Sequence, residues 1–331
     1  MEDYEVIIIG AGPTGLFSTF LAGLRDIKSL TLEALDFSGG QIPELYPEKT
    51  VYDVQGIPKI NAIELRDKME EQARTFGNEI LFSSKVTDII KKDENIIVEV
   101  NQTKKYSTKT VLICTGIGDF KPRSIGCPGE NEFLNKGLSY SVKDIDKFSG
   151  KIVAVVGGGD TAIDYANELS ETAEKVYVIH HSSSFKAAEK TLENARNNDK
   201  IEFIMNTSVA KISGDSQVRD ITLLNVQTNK ETSLSIDKIV VAIGHVGKAN
   251  LFKSADIETS SNGRNIMVNN NFETNVPGIY AVGDVAAIAG EPAHPLIAVA
   301  GGDAYRAINI IKKYVAPTSS LFGGHSSNLK I

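Results

Sequence analysis

The chain has only two cysteines among its 331 residues, Cys114 and Cys127. Their spacing matches neither a CxxC redox pair nor a metal-ligand set, so the sequence holds no dithiol centre and points to no metal. So few thiols, unpaired, suit a reducing cytosol. An excess of positive charge is also missing: 35 Lys and Arg stand against 42 Asp and Glu, a formal net charge of −7. That balance argues against nucleic acid and against an anionic membrane surface as partners. No apolar run approaches the length of a membrane span. The first strand-like run starts so early that a signal peptide finds no room before it. The expectation is a soluble cytoplasmic protein, long enough for two domains with full cores.

Two glycine fingerprints are present, each following an apolar β run and opening a helical pattern. The first is Val6-Ile7-Ile8-Ile9-Gly10-Ala11-Gly12-Pro13-Thr14-Gly15, the second Val153-Ala154-Val155-Val156-Gly157-Gly158-Gly159-Asp160-Thr161-Ala162. In such a turn the first glycine makes the bend and the second lets backbone N–H groups approach a pyrophosphate. The third position, Gly15 or Ala162, must be small so that helix and strand pack closely. The helix N-terminus then presents unsatisfied donors and its positive dipole end to the phosphates. One fingerprint alone is weak evidence. Two in one chain imply two dinucleotides held at once, and that implies a flavin reduced by a nicotinamide. Glu33, at the end of the second strand-like run Ser29–Ala34, stands where a carboxylate meets a ribose hydroxyl in this kind of fold.

The first unit continues with a polar helix at about 62–76 and strands near 79–82, 85–90, 96–100 and 106–114. The turn-rich Gly116–Arg123 segment makes a hinge. A second nucleotide unit follows to Gly244, with Lys175–His180 as its second strand; a helix over roughly 295–314 precedes a Gly/Ser-rich tail. The expected fold is α/β: two Rossmann-like three-layer dinucleotide-binding domains, one inserted in the other. The outer, FAD-binding domain takes residues 1–117 and 245–331, and the inserted NAD(P)H-binding domain takes 118–244.

The motifs resemble the low-molecular-weight, thioredoxin-reductase-like pyridine nucleotide flavoproteins, and most closely the thioredoxin-reductase-type ferredoxin–NADP reductases. The marks are Gly10–Gly15, Gly39-Gly40-Gln41, Leu45-Tyr46-Pro47-Glu48-Lys49, Phe120–Arg123, Gly157–Ala162, Gly278–Asp284 and the tail Gly324-His325-Ser326-Ser327. The Tyr-Pro-Glu-Lys stretch and the His-Ser tail set the chain apart from thioredoxin reductases. Those enzymes carry a CxxC shortly before the second fingerprint, where this chain reads Leu138-Ser139-Tyr140-Ser141-Val142-Lys143.

The resemblance implies FAD on the first fingerprint, with Thr14 in the pyrophosphate turn and Glu33 on the adenosine ribose. It implies Gln41 at the flavin, Val86 and Phe120 lining the site, and Asp284, at a helix N-terminus, on the ribityl hydroxyls. Tyr46 is implied to stack on one flavin face and His325 to cover the other, with Ser326 and Ser327 near the ring; neither cover is assigned acid–base work. It further implies a homodimer whose tail reaches the partner's flavin, and a ferredoxin or flavodoxin as electron acceptor.

For the nicotinamide nucleotide the expected contacts are Gly157, Gly159, Asp160 and Thr161 in the turn, with His181, Ser182 and Lys186 in the loop beyond. Relatives that prefer NADPH carry His-Arg-Arg there, whereas this chain reads His180-His181-Ser182-Ser183-Ser184-Phe185-Lys186. Both arginines that clasp a 2′-phosphate are gone. No acid replaces them either, so NADPH is favoured and NADH stays open. The leading reading is an FAD-dependent reductase passing electrons from NAD(P)H to an iron–sulfur protein. The alternatives are a flavin oxidoreductase using a quinone, small disulfide or oxygen, and a non-catalytic redox sensor.

Overall fold

The computed structural model describes residues 3–45, 47, 49–118, 121–246, 252–291 and 294–323. Contacts divide the chain into two compact units, Met1–Phe120 with Gly247–Ile331, and Lys121–Val246.

The outer unit is built on β1 (Asp3–Ile9), α1 (Pro13–Leu24) and β2 (Ser29–Leu32). Val6, Ile7, Ile8 and Ile9 are all buried, as a central parallel strand covered on both faces requires. β1 pairs in parallel with β2, Ile8 opposite Thr31, and with the long strand Lys104–Ile113, Ile8 opposite Leu112. Glu79–Leu81 extends the sheet beyond β2, and Ile279–Ala281 joins the end of the long strand, both in parallel. The other half of the long strand turns antiparallel, pairing with Asn95–Val100, which in turn pairs with Val86–Lys92. One strand thus serves both the nucleotide-binding sheet and an antiparallel meander. The helix Ala62–Ala73 begins on Asn61, whose side chain accepts the Ile63 N–H, and the last helix spans Ile297–Val315. Both helices lie against α1.

The inserted unit has a five-stranded sheet in the order Leu138–Ser139, Lys238–Val241, Ile152–Val156, Lys175–Ile179, Ile201–Ile204, parallel throughout. The helix Asp160–Thr172 buries Ala162, Ile163, Tyr165, Ala166 and Leu169 on one side. A three-stranded antiparallel sheet, Thr207–Gly214, Val218–Asn225 and Glu231–Ser235, completes this unit. The sequence reading did not anticipate it.

Three expectations need correction. β2 stops at Leu32, because Glu33 and Leu35 turn their backbones toward Leu81 and the Glu33 carboxylate. The helix expected at Asp284 is a three-residue 3-10 turn, Gly283–Val285, followed by the short strand Ala286–Ile288. Cys114 lies just past the strand end, yet is buried in the core as its apolar neighbours suggest.

Candidate functional site

The first glycine turn is fixed by crowding. Gly10 has φ +100°, and a Cβ there would sit 2.7 Å from the Cys114 carbonyl oxygen; a Cβ on Gly15 would collide with the Gly10 oxygen. The turn is therefore closed to any side chain on the side of the strand. Gly12 is the N-cap of α1 and supplies no side-chain cap, and Pro13 has no N–H, so the N–H groups that follow Pro13 in the first turn face an anion without a capping side chain. Around that end the structure gathers the expected residues. The Gly39 N–H donates to the Ala11 carbonyl at 2.8 Å. Thr14 packs against Gly283, where a Cβ would come 2.8 Å from its Oγ1. Gln41 Nε2 donates to Asp284 Oδ2 at 3.1 Å.

Glu33 is 7% exposed, and both its oxygens are occupied. Oε2 accepts the Ala11 N–H at 2.6 Å and Oε1 accepts the Leu35 N–H at 2.9 Å. The carboxylate ties the end of β2 to the middle of the glycine turn, and its remaining lone pairs suit ribose hydroxyls. Val86 begins its strand and packs on the core of the unit without a hydrogen bond to this group. Tyr46, Phe120, His325, Ser326 and Ser327 lie outside the described residues.

Two features here escaped the sequence reading. Thr115 Oγ1 is buried without a partner, just beyond the strand end whose carbonyl presses on Gly10. An orphan hydroxyl at the carboxyl edge of a parallel sheet is what a bound polar ligand would satisfy; its only sequence signal is the strand-end Cys114-Thr115-Gly116. The second is the helix Ile297–Val315, whose start has no side-chain cap and which lies against the Gly283–Val285 turn. An uncapped helix start, a glycine cradle and an orphan hydroxyl together fit a dinucleotide with hydroxyl and phosphate groups.

The second turn repeats the plan. Gly159 is the uncapped N-cap of Asp160–Thr172, and a Cβ there would meet nothing within 4 Å. Thr161 is half-buried in the first turn. Asp160 Oδ1 accepts the Ala188 N–H at 2.8 Å, so this acid braces the following loop. The loop after Ile179 folds back on the turn: the Lys186 N–H donates to the Gly158 carbonyl at 2.8 Å. Ser182 gives its carbonyl to the Asn206 N–H at 3.2 Å, and the His181 and Lys186 side chains are exposed.

His180 is the residue that holds this arrangement. It is 8% exposed, stacks on Phe185 with centroids 5.2 Å apart, and bonds through Nε2 to the Ser184 carbonyl at 3.1 Å. Its ring lies over Gly158, where no Cβ would fit. Burial lowers its pKa first, the neighbouring His181 and Lys186 charges lower it further, and the Ser184 carbonyl opposes them. His180 is thus a neutral packing piece, while His181, Ser183 and Lys186 carry the exposed polar face of the loop.

In place of a dithiol, the window before the second turn holds an oxygen cluster. Glu130 accepts from Tyr140 Oη at 2.8 Å, from the Ile125 and Gly126 N–H groups at 2.7 and 2.8 Å, and from Ser124 Oγ. Burial and the Glu130 carboxylate push the Tyr140 hydroxyl up to about 12. Both cysteines are free, and burial pushes the Cys114 thiol up to about 12.

A family model described as pyridine nucleotide-disulphide oxidoreductase matches residues 4–304. The chain belongs to that family. The ferredoxin–NADP reductase of Picrophilus torridus is 64% identical over 331 residues, covering 100% of both chains. That of Metallosphaera sedula is 40% identical over 331 residues, covering 99% of this chain and 98% of its own. Among solved structures, T. acidophilum thioredoxin reductase superposes with a TM-score of 0.85 at 26% identity. Lactococcus lactis thioredoxin reductase does so with 0.84 at 28%. Each covers 95% of this chain and 99% of the other. Among pyridine nucleotide-disulphide oxidoreductases, this member keeps both glycine turns and has no cysteine near the second one.

Proposed function

We propose that the chain is an FAD-dependent ferredoxin–NADP reductase, acting in the cytoplasm as a homodimer. FAD belongs on the outer unit, Met1–Phe120 with Gly247–Ile331, and NADP(H) on the inserted unit, Lys121–Val246. Bound there, FAD would exchange two electrons with the nicotinamide as hydride and pass them on singly. The protein's own work is to bind and orient. Gly10, Gly12, Thr14, Gly15, Glu33, Gln41 and Asp284 form one binding end. Gly157, Gly159, Thr161, His181, Ser182 and Lys186 form the other, with Asp160 bracing the loop. Tyr46 and His325 are assigned to the two flavin faces, with Phe120, Val86, Ser326 and Ser327 around them.

The observation that carries the reading is the pairing of two intact dinucleotide turns with the absence of a dithiol. Electrons that reach the flavin have no cysteine pair through which to leave, because Cys114 is enclosed and Cys127 has no second thiol in its unit. A one-electron protein acceptor fits that, and the printed name of the 64% identical relative is the same activity.

The second copy rests on the likeness of the tail Gly324-His325-Ser326-Ser327 to that of the homodimeric reductases the chain resembles. The cytoplasmic assignment rests on the two free thiols. No described helix is long and apolar enough to cross a membrane.

Steady-state assays with NADPH, offering ferredoxin and a thioredoxin disulfide side by side, test the proposal. Ferredoxin reduction without disulfide reduction is expected. Disulfide reduction at a comparable rate would refute it.

A further inference from the structure

We propose that Glu70 is a positioning residue for the flavin cofactor. Through the hydroxyl of Ser38 it holds the two glycines that close over the first glycine turn, and so sets how tightly that turn binds the diphosphate of FAD. It rests on the reading that FAD occupies this turn.

From Glu33 to Gly40 the chain has no regular helix or strand. Gly39 and Gly40 have φ of +98° and +56°, the left-handed region that glycine enters without a steric penalty. The Gly39 N–H bonds to the Ala11 carbonyl in the turn, and a Cβ on Gly40 would stand 3.1 Å from the Gly12 Cα. Glycine backbone lies on glycine backbone, so no side chain at the contact fixes the spacing. Two adjacent glycines also make a soft joint, because they lose more conformational freedom on ordering than any other pair.

The hold comes from the preceding residue. Ser38 is fully buried, and its Oγ donates to Glu70 Oε2 at 2.5 Å. Glu70 Oε1 accepts from Arg74 Nε at 2.9 Å and from Arg74 Nη2 at 2.8 Å. One carboxylate oxygen thus serves the loop, and the other serves a guanidinium one turn further along the same helix. Burial alone would raise the Glu70 pKa, but the Ser38 and Arg74 bonds and the Arg74 and Arg66 charges outweigh it and hold the group below the ordinary carboxylate range. Arg66, one turn before Glu70, lays its stem on Gly39, where any Cβ would collide with its Cγ. The helix Ala62–Ala73 that carries these residues is seated by its apolar side. Ala73 shares a buried cluster with Ala11, Leu16 and Ile80, and Leu65 shares one with Ile42 and Ile60. The helix is the support, and the glycine pair is the part being held.

A bound diphosphate needs the Gly39–Gly40 backbone in one place. When the clasp is cut, the fraction of molecules with the loop closed falls, and apparent FAD affinity falls by the same factor. Losing one hydrogen bond to a charged acceptor corresponds to roughly tenfold.

The test compares the flavin-loaded wild type with Ser38→Ala, Glu70→Leu, the double variant, Glu70→Gln and Lys68→Met. Lys68 pairs with Glu64 on the same helix at 3.5 Å, both side chains being exposed, so its removal costs the helix an ion pair without touching the clasp. Each holoenzyme is diluted in steps, and the rise of flavin fluorescence as FAD leaves gives the affinity, with melting temperature recorded alongside. Ser38→Ala and Glu70→Leu should each weaken FAD binding roughly tenfold, and the double variant should be no weaker than either alone. Glu70→Gln keeps an acceptor for Ser38 and should recover part of the loss. Lys68→Met should bind FAD within about twofold of wild type. Once saturated, every variant should show the wild-type flavin spectrum, because the clasp acts on loop closure and not on the ring. FAD affinity within about twofold of wild type in both Ser38→Ala and Glu70→Leu would overturn the proposal. So would additive losses in the double variant, or a loss in Lys68→Met equal to that in Glu70→Leu. If the wild-type protein itself binds no FAD, the reading of the first turn falls, and the role of Glu70 with it.

Discussion

Replacing Glu33 by glutamine isolates what the first site asks of its carboxylate. Both oxygens accept backbone N–H groups, from Ala11 at 2.6 Å and from Leu35 at 2.9 Å. A carboxamide has one acceptor oxygen, so one of these N–H groups would face an NH2 group instead. A hydrogen bond to a charged group contributes about 1.5–3 kcal/mol, and about 1.4 kcal/mol is a factor of ten in affinity. The ribose hydroxyls assigned to the same carboxylate lose a charged acceptor as well. FAD affinity should therefore fall roughly 10- to 100-fold. The assay removes FAD, titrates it back into wild-type and Glu33→Gln apoprotein, and follows the loss of flavin fluorescence. Part of the cost is present without FAD, because the Ala11 and Leu35 bonds are internal to the protein, so the melting temperature of both apoproteins is measured too. A lower apoprotein stability with FAD affinity within about twofold of wild type would refute the reasoning, and would reduce Glu33 to a brace for the turn.

In the second site, Gly158→Ala forces a methyl group onto the His180 ring, whose face stacks on Phe185 at 5.2 Å. Overpacking of this kind costs about 1–3 kcal/mol; steady-state kinetics should show the KM for NADPH raised roughly tenfold with flavin content unchanged, and an unaltered KM would contradict the packing argument. Burial alone would raise the Glu130 pKa, but the bonds from Ser124, Ile125, Gly126 and Tyr140 outweigh it and hold the group below the ordinary carboxylate range. With the folded value depressed, Glu130 contributes its stability above the unfolded value and loses it as pH falls through the folded one. Melting curves of wild type and Glu130→Gln should therefore converge below about pH 4 and separate near neutrality; parallel curves would rule this out. Iodoacetamide at mildly alkaline pH should leave Cys114 unmodified in the folded protein, because burial pushes its thiol up to about 12. Cys127, half-buried and also shifted upward by burial and by Glu130, should react slowly, and peptide mass spectrometry distinguishes the two.

The glycine turns were legible because steric need writes itself directly into sequence: no residue but glycine fits where Gly10 meets the Cys114 carbonyl. Glu33 was legible for a similar reason, as a charged residue closing an apolar strand. The antiparallel sheet over 207–235 was not. Its strands mix Thr, Ser, Lys and Asp with the apolar positions, and register shifts at Val209/Lys211 and Ser213/Gly214 break the alternation that marks a strand. His180 gave no sign of burial because the ring that stacks on it, Phe185, arrives through loop geometry and is itself met edge-on by Phe203. The turn at Asp284 read as a helix start because a Gly-Asp after an apolar strand looks the same whether one turn follows or several. The Ser38–Glu70 bond left no trace at all, since 32 residues separate its partners.

Two dinucleotide sites in one chain turn a hydride donor into a source of single electrons for an iron–sulfur protein. The direct test is an anaerobic single-turnover experiment, mixing the FAD-loaded protein first with one equivalent of NADPH and then with ferredoxin. Rapid bleaching of the flavin is expected, followed by its recovery as two ferredoxin molecules are reduced for each NADPH consumed. Bleaching that ferredoxin fails to reverse would contradict it.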